Sequence, residues 1–196
     1  MTLKTQAHLL KDLELLINTG LGVAPIAPGL SALLCKIVGA EAGGLSWFSE
    51  TGVHEGFYQR GSTREAELLF MNRYKELFAG PNEYKPFLNL SNKRQGIIHA
   101  GPASRPYLHS NTFNLFIKPS RCHFLLCVLV DLEGVPRLAG CFFKIVANPF
   151  YDSDAQKLAM LIPLLRCAIG TCQRADNKHC SARTRAHAGF GRRHAG

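Results

Sequence analysis

The spacing of apolar positions along the chain switches between a helical and a strand period. Leu9, Leu10, Leu13, Leu16 and Ile17 recur at helical intervals with charges between them, which predicts a helix over Thr5–Asn18. Gly20 and Gly22 end it, and Ile26, Leu30, Leu33, Leu34 and Ile37 mark a second helix over Pro25–Val38. Pro25 and Pro28 are expected in its first turn, where a missing N–H costs little. Gly44–Ser49 and Val53–Arg60 are rich in aromatic and β-branched residues, and Glu50, Thr51 and Gly52 between them predict a hairpin. Helical spacing returns over Ser62–Phe78, with Ser62 and Glu65 in the capping-box arrangement.

From Asn82 to Pro119 no period holds, and prolines and glycines recur, so a long loop-rich segment with at most one short element is expected. The clearest strand signal follows. Arg121–Leu132 and Val135–Ala147 are two apolar runs joined at Glu133 and Gly134, the pattern of a buried hairpin. A closing helix is expected over Ala155–Cys172, capped by Asp152 or Ser153, with Leu158, Leu161, Leu165 and Ile169 on its apolar face. Hairpins interleaved with helices predict an α/β (α+β) domain, an antiparallel sheet backed by helices in the manner of GAF and PAS domains.

Composition narrows the class. The 196 residues leave room for one domain, expected over residues 1–172, and a tail over 173–196. The net charge of +9 suggests nucleic acid at first sight, but six of the 23 basic residues and one of the 14 acidic ones lie in the tail. The preceding residues carry a net charge of only +4. The tail is poor in large apolar residues and is expected to be disordered. No run approaches the ~20 apolar residues of a membrane span, and the N-terminus lacks the uninterrupted apolar centre of a signal peptide. A cytoplasmic protein is expected. Seven cysteines, several within apolar runs, fit reduced core thiols in a reducing compartment.

Candidate chemistry is sparse. Cys172, His179, Cys180 and His187 have the ligand types of a zinc site but not its spacing. On the first late strand His123 and Cys127 share a face, with Cys122 on the other. Cys141 is expected near Cys127 or near Leu126, depending on register. Such a group could serve redox or metal sensing, although buried thiols and a satisfied histidine are the simpler reading. No phosphate loop, HExxH or GxSxG motif is present, so no catalytic residue, cofactor or metal is assigned and an enzyme is not expected.

Three segments together resemble a known family. They are the hairpin turn Asp131–Gly134, the run Arg137–Lys144, and Pro149–Asp154 leading into Leu161–Leu165 with Pro163 inside a helix. They resemble the end of the N-terminal sensor domain of LuxR-type helix-turn-helix transcription regulators. The resemblance implies a small-molecule signal of unknown identity and a homodimer built on the closing helix through Leu158, Leu161, Leu165 and Ile169. It implies DNA binding only in relatives that carry a helix-turn-helix, which the residues after the closing helix are too few to supply, so a truncated regulator is expected. By analogy with such sensors, Trp47, Phe57, Tyr58, His123 and Phe143 are the candidates to line a ligand pocket over the sheet, with residues 82–119 as a lid. The alternatives are a stand-alone protein-binding regulatory module, a small cysteine/histidine enzyme, and nucleic-acid binding through the basic tail.

Overall fold

A computed structural model of the chain describes residues 3–61, 64–77, 80, 83, 96–100, 107–119, 124–144 and 149–188. The periodic segments become helices α1 (Leu3–Ile17), α2 (Val23–Val38) and α3 (Arg64–Leu77) and strands β1 (Ala42–Phe48) and β2 (His54–Arg60). The irregular stretch contributes β3 (Gly96–Ala100), a 3-10 turn (Tyr107–His109) and a π-helical segment (Thr112–Ile117). The late runs form β4 (Phe124–Leu132) and β5 (Val135–Lys144), and α4 (Asp152–Ala188) closes the chain. The five strands form one sheet in the order β2-β1-β5-β4-β3, with every neighbouring pair antiparallel. The sequence led to two hairpins; β3 adds the far edge, where Gly96 and Ala100 flank only Ile97, Ile98 and His99, too short a run to carry a period.

Helices α2 and α4 pack on one face of the sheet, and α1 packs against both. Leu13 and Ile17 of α1, Ile26, Leu30 and Leu34 of α2, and Leu158, Leu161, Leu165 and Ile169 of α4 share one buried cluster with Leu126, Val128, Leu138 and Phe142. Burying a side chain of this size contributes about 1.5–3 kcal/mol, so this cluster carries the stability of the fold. It also corrects the dimer candidates. Leu158, Leu161, Leu165 and Ile169 are at most 4% exposed, because the apolar stripe of α4 is spent on its own sheet. The outer side of α4 carries Met160, Pro163 and Cys167 instead.

Local chemistry sets the joints between these elements. Glu133 (φ 53°) and Gly134 (φ 80°) both adopt positive φ, as the two-residue turn of a tight hairpin requires. Asp131 accepts the N–H of Gly134 at 3.1 Å and receives Arg166 of α4 at 2.7 Å, so one buried carboxylate ties turn to helix. At the start of α4 the cap differs from the expected Asp152 or Ser153. The helix begins at Asp152, and Asp154, in its first turn, accepts the N–H of Tyr151 at 3.1 Å, the returning half of a capping box. Asp154 also holds Lys157 at 2.9 Å and Lys144 at 3.6 Å. Lys144 lies 4.6 Å from the centre of the Phe150 ring. In α2, Pro25 falls in the first turn as expected, but Pro28 lies one turn further in, on the exposed side.

The basic segment also departs from expectation. The backbone of α4 continues as helix to Ala188, where disorder was expected. Between Gly170 and Gly189 there is neither glycine nor proline, and alanine, arginine, lysine and glutamine all favour helix. Ser62 and the zinc-type ligands Cys172, His179, Cys180 and His187 lie outside the residues whose side chains are described.

Candidate functional site

Residues directly opposite each other across an antiparallel ladder point to the same side of the sheet. Gly43, Leu45 and Trp47 of β1 stand opposite Phe142, Gly140 and Leu138 of β5, which stand opposite Leu126, Val128 and Val130 of β4. This face meets α2 and α4, and Trp47 and Tyr58 pack against its core. The fit is close. A Cβ on Gly43 would stand 2.6 Å from the Cys35 sulfur of α2, and Ser31 donates to the Gly43 carbonyl at 3.3 Å.

The opposite face has another character. Gln59, Gly44, Cys141 and Cys127 form one row across four strands, and Phe57, Ser46, Ala139 and Leu129 form the next. Four of these positions, all on the central strands β1 and β5, carry small side chains: Gly44, Ser46, Ala139 and Cys141. Ala139 and Cys141 keep accessible surface although strands flank them on both sides, while Ser46, Gln59, Cys127 and Leu129 around them are buried. These two part-exposed small residues inside a buried rim outline a shallow pit whose floor is Ala139 and Cys141.

One end of the pit is closed. Phe143, Ala42 and Leu77 of α3 form a buried cluster to which Leu69, Phe113 and Cys141 add. This cover is pinned by polar contacts. The Thr112 hydroxyl donates to the Leu77 carbonyl at 2.7 Å, and the Asn111 amide donates to the Glu76 carbonyl at 3.1 Å. Glu83 Oε1 accepts the backbone N–H groups of Asn111 and Thr112 at 2.8 and 3.3 Å. Of residues 82–119, from which the sequence suggested a lid, 82, 84–95 and 101–106 lie outside the described residues.

Two polar features mark the pit face. Gln59 is 8% exposed, and its Oε1 is buried without a hydrogen-bond partner; among the described side chains Glu83 Oε2 is the other such atom. An acceptor left so costs about 1–3 kcal/mol. Cys127 and Cys141, directly opposite on β4 and β5, have sulfurs 3.5 Å apart, which settles the register question in favour of Cys127 over Leu126. Burial, and then the hydrogen bond with Cys141, push the Cys127 thiol well above the ordinary range. Beyond the register shift at the end of β1, and outside the pit, exposed His54 meets the Phe48 ring edge-on at 5.5 Å, and partial burial pulls its imidazole below its usual value.

The five pocket candidates are therefore not brought together. Phe57 and Phe143 lie on the pit face. Trp47 and Tyr58 lie on the helix side, the Trp47 indole across Gly56, because neighbours along a strand point to opposite faces. His123 lies outside the described residues. Sequence reasoning weighed aromatic residues and passed over Gln59, Ser46 and Ala139. The available signal was the alternation on β1, where Gly44 and Ser46 interleave with Leu45 and Trp47. Among the described residues no group of three or more His, Cys, Asp or Glu side chains is placed to hold a metal ion, and no helix is long and apolar enough to cross a membrane.

No family model matches the chain, and no curated protein matches it in sequence. Its similarity is in three dimensions, and it defines the fold as an α+β domain of the GAF type. The chain is similar to the phycoerythrobilin-bound GAF domain of a cyanobacterial phytochrome, with a TM-score of 0.57 at 10% identity, covering 87% of this chain and 97% of that one. It is similar to the VqsR LBD domain from Pseudomonas aeruginosa, with a TM-score of 0.52 at 14% identity over 87% and 95% of the two chains. It is also similar to free methionine-R-sulfoxide reductase from Neisseria meningitidis, solved with its substrate, with a TM-score of 0.51 at 13% identity over 89% and 96%. The same fold thus serves a chromophore-bound domain and an enzyme, and does not itself decide between binding and catalysis.

Proposed function

We propose that this chain is a non-catalytic small-molecule-sensing domain of a cytoplasmic, LuxR-type transcription regulator, with its ligand seated in the pit. The observation that supports this most is the accessible floor of Ala139 and Cys141 inside a buried rim that includes an unpartnered amide oxygen. Binding sites combine an apolar enclosure with a few placed polar groups. Here Phe57, Leu129 and Phe143 supply the enclosure, and Gln59 and Ser46 the polar groups. A ligand with an N–H or O–H donor would satisfy Gln59 and recover the cost of leaving it unpaired. The regulator assignment rests on the resemblance of Asp131–Gly134, Arg137–Lys144 and the Pro163-bearing helix. The presence of the VqsR LBD domain among proteins of this fold is compatible with it. Pairing of two copies, which that resemblance implies, would use the outer side of α4 around Met160 and Pro163.

The test is mass spectrometry of small molecules released on denaturing the purified protein, for the wild type and for Ala139→Leu. The wild type is expected to carry a bound molecule, and the leucine, filling the floor, is expected to lower its occupancy by about tenfold or more, equivalent to ~1.4 kcal/mol. The folded spectrum should be unchanged. A wild type that carries nothing, with an Ala139→Leu variant that simply melts at higher temperature, would identify the pit as an empty packing defect and overturn the reading.

A further inference from the structure

Directly opposed residues on antiparallel strands hold their Cβ atoms about 4.5–5.5 Å apart, slightly wider than a disulfide requires. Cys127 and Cys141 occupy such a pair, and their sulfurs are already 3.5 Å apart. A side-chain rotation and a small approach of β4 to β5 would bring them to the ~2.05 Å of an S–S bond. The two thiols differ in access. Cys127 has no exposed surface, whereas Cys141 opens onto the pit floor. Other described cysteines stand apart: Cys35 faces the opposite side of the sheet beneath Gly43, and Cys167 lies on the outside of α4.

We propose that Cys141 and Cys127 form a reversible oxidation site, in which a small hydroperoxide reaching the pit oxidises Cys141 and Cys127 then closes a disulfide between β4 and β5. In the first step the Cys141 sulfur, as thiolate, attacks one peroxide oxygen and the O–O bond breaks. Cys141 becomes a sulfenic acid, and the other oxygen leaves as water or an alcohol. In the second step the Cys127 sulfur attacks the Cys141 sulfur, the S–O bond breaks, and the hydroxyl departs as water with the Cys127 proton. Two thiols lose two electrons, and one peroxide gains them. The division of roles follows from access: the first attack needs a thiol that the oxidant can touch, and the second needs a neighbour that no competing solvent molecule reaches. Burial pushes the Cys127 thiol pKa up, which keeps it protonated and out of the first step. The site rests on the sulfur pair and not on any signal molecule, and a ligand seated over Cys141 would shield it from the oxidant.

The full chain, reduced and then freed of reductant, would be treated with an equimolar amount of hydrogen peroxide and digested without reduction. The expected product is a cross-linked peptide joining Cys127 to Cys141, lighter than the separate peptides by two hydrogens and restored by dithiothreitol. Cys127→Ser should stop the reaction at a sulfenic acid on Cys141, trapped by dimedone. Cys141→Ser should leave Cys127 a free thiol. The wild-type measurement needs no variant to fold. Recovery of both thiols free while Cys167 is oxidised, or a bond from Cys141 to any cysteine other than Cys127, would overturn the proposal.

Discussion

The two faces of the sheet are built from neighbouring residues and yet solve opposite problems. On the helix side Leu45, Leu126, Val128, Leu138 and Phe142 fill the space to α2 and α4, and each is at most 1% exposed. On the other side Gly44, Ser46, Ala139 and Cys141 are small, Phe57 covers Gly44, and Ala139 and Cys141 keep accessible surface on the central strand. Polar groups follow the same division. Toward the helices Asp131 has Arg166 and the Gly134 N–H, Asp154 has Lys157 and the Tyr151 N–H, and Ser31 has the Gly43 carbonyl. On the pit side Gln59 Oε1 has no partner. A filled and satisfied face stabilises the domain; an open face with an unsatisfied acceptor is where a ligand gains most. On the proposed reading the contrast separates stability from ligand binding by side of the sheet, and it can be broken by experiment.

The largest expected effect is on the filled side. Phe142→Ala should lower the unfolding free energy by about 3–5 kcal/mol, the usual cost of emptying a fully buried aromatic site. Ser46→Ala, on the other face of the adjoining strand, should cost about 1 kcal/mol or less. Urea midpoints of the two variants at equal m-values check this. Comparable losses would mean that the pit face is as tightly packed as the core, and the division of labour would fall.

A finer comparison uses two adjacent glycines. A Cβ on Gly43 meets the Cys35 sulfur at 2.6 Å and the Phe142 ring at 3.0 Å, whereas one on Gly44 meets the Phe57 ring at 3.1 Å. Cys35 and Phe142 are locked in the core, but Phe57 is only half-buried and can give way. Gly43→Ala should therefore destabilise by about 1–3 kcal/mol, as overpacking does, and Gly44→Ala by clearly less. Thermal melts of the pair decide the point, and a larger loss at Gly44 would place the tight side of the sheet on the wrong face.

How far the sequence revealed this depends on which signal each residue carries. The helices and both hairpins follow from apolar period and turn residues, and Glu133–Gly134 sits at the turn where its composition placed it. The α+β class follows from their order. The strand β3 was hidden because two isoleucines and a histidine between glycine and alanine carry no readable period. The pit was hidden for a different reason. Its floor consists of residues noticed for what they lack, and aromatic candidates drew the reading to Trp47 and Tyr58, which the two-residue period sends to the helices. The stripe of α4 was read correctly as apolar, but pattern alone does not say whether such a stripe meets its own sheet or a second copy.

The smallest effect concerns the seam that holds α4 to the filled face, and it gives the comparison a pH signature. Burial raises the Asp154 pKa, but the bonds from Lys157 and the Tyr151 N–H, and then the Lys144 charge, outweigh it and hold the carboxyl below the usual aspartate range. A group whose pKa is depressed on folding contributes stability that is complete above its unfolded value, near 3.9 for aspartate, and is lost as pH falls through the lower folded value. Asp154→Asn keeps the shape and removes the charge. It should cost about 1 kcal/mol at neutral pH, where Lys157 and Lys144 lose their partner, and nothing further as the solution is acidified. The wild type should converge on the variant toward pH 3 and below. Urea melts of both proteins between pH 7 and pH 2.5 measure the gap. A gap that stays constant or widens in acid would show that Asp154 holds the helix through packing rather than charge.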